Sequence, residues 1–254
     1  MKYKINKIQI NNYKKNGYLV CKNFFSKKDI QNLVSWMDEI ENFKEVKGKW
    51  MKYYDTSLKD KKKTILTRIE NFFDYHKKFK KFISKKKFLD QIKKISNFDV
   101  VLFKDKINFK NPGGKGFKAH QDATIWQGMY GINSFLTLVI SIDFSSKKNG
   151  RLEFAKNKDK VGLIGKGWKE MPEKIEKKIS WTPINTKPGD MILFNDYTPH
   201  RSSNNFSNKR RRMLFLTYNK KKEGDFRKKH FKDKRKNFPP NFERKKNKEY
   251  VFHI

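Results

Sequence analysis

Residues 188–219 read "PGDMILFNDYTPHRSSNNFSNKRRRMLFLTYN". Pro188 presets φ for the first corner of a turn, and Gly189 suits the second, where φ turns positive. "MILFND" and "RRMLFLTYN" then read as two apolar strands joined by the polar connection "PHRSSNN". Short strands punctuated by Gly/Pro turns point to antiparallel β architecture.

The same texture extends upstream to residue 99. "DVVLFKDKINFK" alternates apolar and polar residues as a half-buried strand does, "SFLTLVISIDF" reads as a buried strand, and "RLEFA" as another. "NPGGKG" and "SKKNG" are the intervening loop and turn. Before residue 99 the pattern is mostly helical. In "NGYLVCKNFFSKKDIQNLVSWMDEIENF", Tyr18 to Phe25 is extended. Ile30, Leu33, Val34, Met37 and Ile40 then repeat at helical spacing. Ser26 with Asp29 three residues on has the form of a capping box, and Trp36 falls at the edge of the stripe. "TRIENFFDYHKKFKKFI" and "KKFLDQIKKI", within the lysine-rich section 58–97, suit helices. The expected fold is mainly β with flanking helices, a barrel or sandwich under an N-terminal helical layer, as one domain over 1–254.

Composition bounds the function. The 23 Phe, 10 Tyr and 5 Trp supply enough large apolar side chains for a packed core. No apolar run approaches the roughly 18 to 20 residues that span a bilayer, and the first twenty residues lack a signal-peptide core. One cysteine, Cys21, forms no internal disulfide, which suits the cytoplasm and a small core residue. The net charge of +36 comes from lysines scattered almost everywhere rather than gathered on one face. Asn, Ile and Phe are abundant too, as AT-rich codons would give, so the charge reads first as compositional. Attraction of an anionic small substrate comes second and a nucleic-acid partner third. There is no internal repeat, no G-x-G-x-x-G and no P-loop.

"KAHQDATIW", residues 118–126, places His120 and Asp122 two positions apart. On a strand both would point the same way. They are then either two polar residues on a wet face or two metal ligands. A non-haem Fe(II) site needs two imidazoles and one carboxylate, leaving positions open for a co-substrate and O2. His200 is the natural third ligand. His76, His230 and His253 are expected to be solvated or capping.

The stretch 188–219 also resembles the distal half of the active site in the phytanoyl-CoA dioxygenase family. There the distal histidine is followed two residues later by Ser and eleven later by Arg, matched here by Ser202 and Arg211. The proximal H-Q-D of the family corresponds to His120-Gln121-Asp122. "NGYLVCKNFFSKKDIQNL" and "NGRLEF" match further segments, so the resemblance covers most of the chain. It implies a double-stranded β-helix, with Fe(II) on His120, Asp122 and His200 and with 2-oxoglutarate and O2 as co-substrates. Arg211 would donate two parallel hydrogen bonds to the far carboxylate of 2-oxoglutarate, and Ser202 a third. Arg210 and Arg212 should turn to the opposite face.

"KDKINFK" is similar to the family segment that helps hold the co-substrate, which points to Lys106 and Asn108. Trp126 matches an aromatic beside the substrate in ectoine hydroxylase-like members. Gln121, Arg201 and Lys118 are the remaining candidates for the substrate side. The family's "PGSH" is replaced by "AKNKDKVG", a departure from the resemblance at a segment where a substrate contact is expected. Asp122 speaks against a halogenase, where a small residue stands in its place. "YNKKKEGDFRKKHFKDKRKNFPPNFER", "RIENF" and "KINFKNPGGKGFKAHQDA" look closest to members of the 2-aminoethylphosphonate dioxygenase kind. That implies hydroxylation of a small anionic metabolite beside a phosphonate. The alternatives are oxygenases acting on nucleic acid, acyl-CoA or betaine- and ectoine-like solutes, and a barrel that only binds.

Overall fold

The apolar runs are strands in the computed structural model, which describes residues 4–155, 162–164 and 170–250. The strands are β1 (Tyr18–Cys21), β2 (Met51–Thr56), β3 (Thr64–Glu70), β4 (Val100–Lys110), β5 (Phe117–His120), β6 (Phe135–Ser141), β7 (Leu152–Ala155), β8 (Trp181–Ile184), β9 (Met191–Asn195), β10 (His200–Ser202) and β11 (Arg211–Lys220). The helices are α1 (Lys7–Asn16), α2 (Lys27–Glu41), α3 (Lys77–Ile83), α4 (Lys86–Ser96), α5 (Ala123–Tyr130), α6 (Glu173–Glu176) and α7 (Arg227–Asn237).

Seven strands form one sheet in the order β1-β9-β6-β11-β4-β3-β2, and four form a second, β5-β10-β7-β8. Pairing is antiparallel, as the Gly/Pro turns implied. At the "TKPGD" turn Gly189 has φ +94°, and the Asp190 N–H donates to the Lys187 carbonyl at 3.0 Å. The sheets close on each other through Val139, Phe194, Met213 and Phe215 of the large one and Leu152, Phe154 and Ile184 of the small one. This is the expected double-stranded β-helix.

Strand alternation decides what each face of the large sheet carries. On β4, Ile107 and Phe109 turn outward into a core with Leu33, Met37, Phe79, Phe88 and Ile92 of α2, α3 and α4. Those helices are the expected N-terminal layer. The Ser26 side chain caps α2 by accepting from the Asp29 N–H, and Asp29 returns the bond, as the capping box requires. Trp36 packs edge-on against Phe82 at the margin of the layer. Cys21 is buried in the same core, and burial pushes its thiol up to about 12.

Two expectations are corrected. The helical reading of residues 67–70 fails, because Thr64–Glu70 is β3, paired with β2 and with β4 through Arg68↔Asn108 and Ile69↔Ile107. Its β-branched Thr64, Ile65, Thr67 and Ile69 suit a pleated surface, and the open edge of β4 takes it up. Asp122 is also not on a strand. β5 ends at His120, and Asp122 is the N-cap position of α5, with φ −63° and ψ −31°.

Candidate active site

His120 and His200 stand directly opposite each other on β5 and β10, with ring centroids 4.2 Å apart. The Nδ1 of His120 lies 2.7 Å from the Lys118 carbonyl, and that of His200 lies 3.0 Å from the Thr198 carbonyl. A carbonyl can only accept, so each Nδ1 carries the proton and each Nε2 keeps its lone pair. Burial, then neighbouring His200, push His120 down to about 3, and burial lowers His200 as well. Both rings are therefore neutral at ordinary pH. The turn into α5 brings the Asp122 carboxylate to 3.9 Å from His120 Nε2. One ligand atom from each of the three lies within 4.8 Å of the others. Two imidazole nitrogens and one carboxylate on one side form a donor set suited to non-haem iron.

These residues line a cavity of about 620 Å³ between the sheets, shared with Ser202 and Arg211. Arg211 is 1% exposed, yet no carboxylate pairs with it among the described residues. One guanidinium nitrogen meets only the Met213 sulfur at 2.7 Å, and Nε has no partner among the described residues. Burial pulls the guanidinium down to about 10. A desolvated cation without a counter-ion is costly, and this one faces a cavity where an anion could compensate it. Arg212, one residue on, turns outward as alternation requires and is held by Asp143 and Asp38, while Arg210 pairs with Asp38 and Glu41.

Lys110 was not singled out by the sequence. Its Nζ donates to Ser202 Oγ at 2.7 Å and to the carbonyls of Ser203 and Gly150 at 2.6 and 3.2 Å. Burial, then Arg211, push the Lys110 ammonium down to about 5, and these three oxygens are its partners. Gly150, at φ +75°, permits this approach, since a Cβ there would strike the Ser203 carbonyl and the Lys110 stem. Lys106 and Asn108 precede Lys110 on the same strand face, so extending that alternation by one step would have found it.

The remaining candidates separate by location. Lys106, Asn108 and Trp126 line the cavity, Trp126 packed against Phe103 and Phe135. Gln121 does not line it. Its amide donates to the Gly162 and Tyr197 carbonyls and accepts from the Ile164 N–H, which pins a loop. Lys118 is exposed and paired with Glu170 at 2.6 Å, because the register shift between β5 and β10 (His200↔His120 but Ser202↔Phe117) interrupts alternation and turns Phe117 and His120, not Lys118, to the cavity. Arg201 reaches the lining, but Glu153 and Glu176 hold its guanidinium at 2.9 and 2.7 Å over the Trp181 ring. Gln121 and Lys118 are thus removed from the substrate side, and Arg201 has its charge already spent.

His76 caps α3, accepting from the Phe79 N–H, as one of its two expected roles. His230 is not solvated. It is buried on the cavity wall against Phe103, with Nε2 lacking a partner among the described residues. His253 and most of "AKNKDKVG" lie outside the described residues. Asp196, also missed, is buried, and burial and then Asp122 push its carboxyl up to about 8.

The sequence profile of the family described as phytanoyl-CoA dioxygenase (PhyH) matches residues 13–213. The chain belongs to this family. Among its relatives, it is 40% identical over 239 residues to a 2-aminoethylphosphonate dioxygenase of an uncultured bacterium, HF130_AEPn_1, covering 94% of this chain and 90% of that protein. It is 30% identical over 231 residues to the methylphosphonate hydroxylase of Gimesia maris, covering 91% and 86%. Its fold is similar to that of EctD from S. alaskensis, crystallised with 2-oxoglutarate and 5-hydroxyectoine. That match has a TM-score of 0.73 at 18% identity, covering 88% of this chain and 79% of that one.

Proposed function

We propose that this PhyH-family chain is an Fe(II)- and 2-oxoglutarate-dependent dioxygenase that hydroxylates a small aminoalkylphosphonate, 2-aminoethylphosphonate being the best single candidate. One observation carries the reaction class. A neutral His120–His200 pair with Asp122 shares a cavity with Arg211, a buried guanidinium that lacks an anion.

His120 Nε2, His200 Nε2 and an Asp122 oxygen would hold the iron, their orientation set by the Lys118 and Thr198 carbonyls. Arg211 would grip the far carboxylate of 2-oxoglutarate, the Ser202 hydroxyl would donate to it, and Lys110 would hold Ser202 in place. Asn108, whose buried Oδ1 has no partner among the described residues, lies along the same path. When bound, iron and 2-oxoglutarate supply the activation of O2, with the balance R–H + 2-oxoglutarate + O2 → R–OH + succinate + CO2. The chain supplies placement and a dry wall, with Phe194 and Phe154 packed around His200.

The substrate class is supported by the two phosphonate-acting relatives. A nucleic-acid substrate is disfavoured, because many exposed lysines pair locally with carboxylates, as in Lys80–Asp74, Lys93–Asp99 and Lys229–Asp233. We place the activity on one domain and in the cytoplasm, in keeping with the lone buried thiol of Cys21. No helix among the described residues is long and apolar enough to cross a membrane.

Anaerobic titration with Fe(II) and 2-oxoglutarate should produce the visible chelate band in the wild type and not in His200→Ala. Succinate release should then rise with 2-aminoethylphosphonate and not with betaines or acyl-CoAs. Identical spectra for the two proteins would end the reading.

A further inference from the structure

Lys104, Lys106, Asn108 and Lys110 alternate along β4 toward the cavity side, a row of polar residues on an inner sheet face. Lys110 closes one end beside Ser202, and Arg211 is its cross-strand partner. Lys106 sits four residues away, opposite Phe215, about 13 Å along the strand. The carboxylate gripped at Arg211 is therefore several rungs away from Lys106.

Lys106 has no carboxylate partner among the described residues. Its ammonium lies against two aromatic rings, Phe215 at 4.7 Å and Phe117 at 5.6 Å. Its neighbour Lys104 reaches Glu70 only at 3.9 Å. Glu70 is fully buried and already shared with Lys234 at 2.5 Å and Arg68 at 3.0 Å, so it cannot compensate Lys104 and Lys106 as well. Burial pushes the Glu70 carboxyl up, but the fields of Lys104, Lys234, Arg68 and Lys106 outweigh it and hold it well below the usual range.

Two ammonium groups, two residues apart on one face and short of negative charge, match a dianion better than a monoanion. Lys106 lines the same cavity as Asp122, His120 and His200. An anion held there shares one cavity with the metal-ligating trio.

We infer that Lys106, with Lys104 beside it, is the subsite for the phosphonate dianion of the substrate. This rests on the hydroxylase reading above and moves Lys106 from the co-substrate to the substrate. Burial and then Lys104 hold the Lys106 ammonium down to about 7, so the empty wall sheds part of its charge and a bound dianion restores it.

The test is calorimetry of 2-aminoethylphosphonate binding to anaerobic protein loaded with Fe(II) and 2-oxoglutarate, for wild type, Lys106→Met and Lys106→Arg. In Lys106→Met the phosphonate Kd should rise about 30-fold or more, while the 2-oxoglutarate Kd, read from the chelate band, stays within about twofold. Lys106→Arg should recover part of the loss. Wild-type preference for the phosphonate over 3-aminopropanoate, its singly charged isostere, should vanish in Lys106→Met.

A 2-oxoglutarate Kd that rises while phosphonate binding is unchanged would return Lys106 to the co-substrate and overturn the subsite. Wild type that binds no phosphonate would overturn it outright. Lys106-dependent binding without phosphonate-driven succinate release would remove the hydroxylase reading and keep the subsite. Phosphonate-driven release with an unchanged KM in Lys106→Met would do the reverse.

Discussion

His120 and His200 are cross-strand partners that use the same device: each Nδ1 donates to the carbonyl two residues before it, Lys118 or Thr198. The symmetry is a consequence of antiparallel pairing, in which opposite residues present their side chains to one face. Both Nε2 atoms consequently point into the same space before any metal arrives.

A preformed site of this kind should make metal binding visible as stability. A ligand that binds only the folded state adds about 2.7 kcal/mol at one hundred times its Kd. Co(II), used as an air-stable probe, should therefore raise the Tm of the wild type by several degrees. His120→Ala and His200→Ala should fold but show no rise, which differential scanning fluorimetry will read.

Arg211 makes the opposite prediction for the protein without co-substrate. A desolvated guanidinium with no carboxylate partner costs stability, and an apolar side chain of similar length removes that cost. Arg211→Met should keep or raise the Tm while weakening 2-oxoglutarate binding about 30-fold or more. Arg211→Lys should restore little, because a point charge cannot donate two parallel hydrogen bonds. A large fall in Tm for Arg211→Met would mean that the cation is compensated inside the fold.

His120, Ser202, His200 and Arg211 line one cavity, as the family resemblance around "PHRSSNN" implied, because β10 and β11 are joined by a short loop. Asp122 joins them by a geometry the pattern did not show, a helix start rather than a second strand position. Charge was the least legible property. Arg201 and Lys118 look alike in sequence, and only the fold brings Glu153 and Glu176 to one and Glu170 to the other. Lys110 and Glu70 were silent for the same reason, since their partners come from distant strands and loops. Residues 67–70 misled because local pattern competes with an open sheet edge, and the edge wins.

The histidines also set the pH response of the metal-free protein. His120 is held down to about 3, below its ordinary value near 6.5, so in that window the unfolded chain binds more protons than the native one. The stability contribution is thus fully present above about 6.5 and is lost as pH falls toward about 3. Urea midpoints measured without metal should drop across this range, with a shallower slope in His120→Asn. Equal slopes would place the acid sensitivity elsewhere.

Arg211 and Arg212 are neighbours with opposite duties, and that contrast is the sharpest check on the strand register. The Arg212 backbone N–H and Nε both donate to Asp143 Oδ2, at 2.8 and 2.9 Å, and its Nη2 donates to Oδ1 at 3.1 Å. Nη1 reaches Asp38 on α2 at 2.5 Å, so one buried guanidinium ties β11 to the helical layer. Removing it leaves Asp143 without its ion pair, which should cost about 2–3 kcal/mol, less than a fully buried pair because Asp38 is half exposed. Arg212→Ala should therefore lower the urea midpoint while leaving the 2-oxoglutarate Kd of the folded protein unchanged. Arg211→Met should do the reverse, holding its midpoint and losing the co-substrate. If both substitutions weaken 2-oxoglutarate to the same degree, β11 does not present alternate residues to the two layers, and the placement of Arg211 in the cavity is wrong.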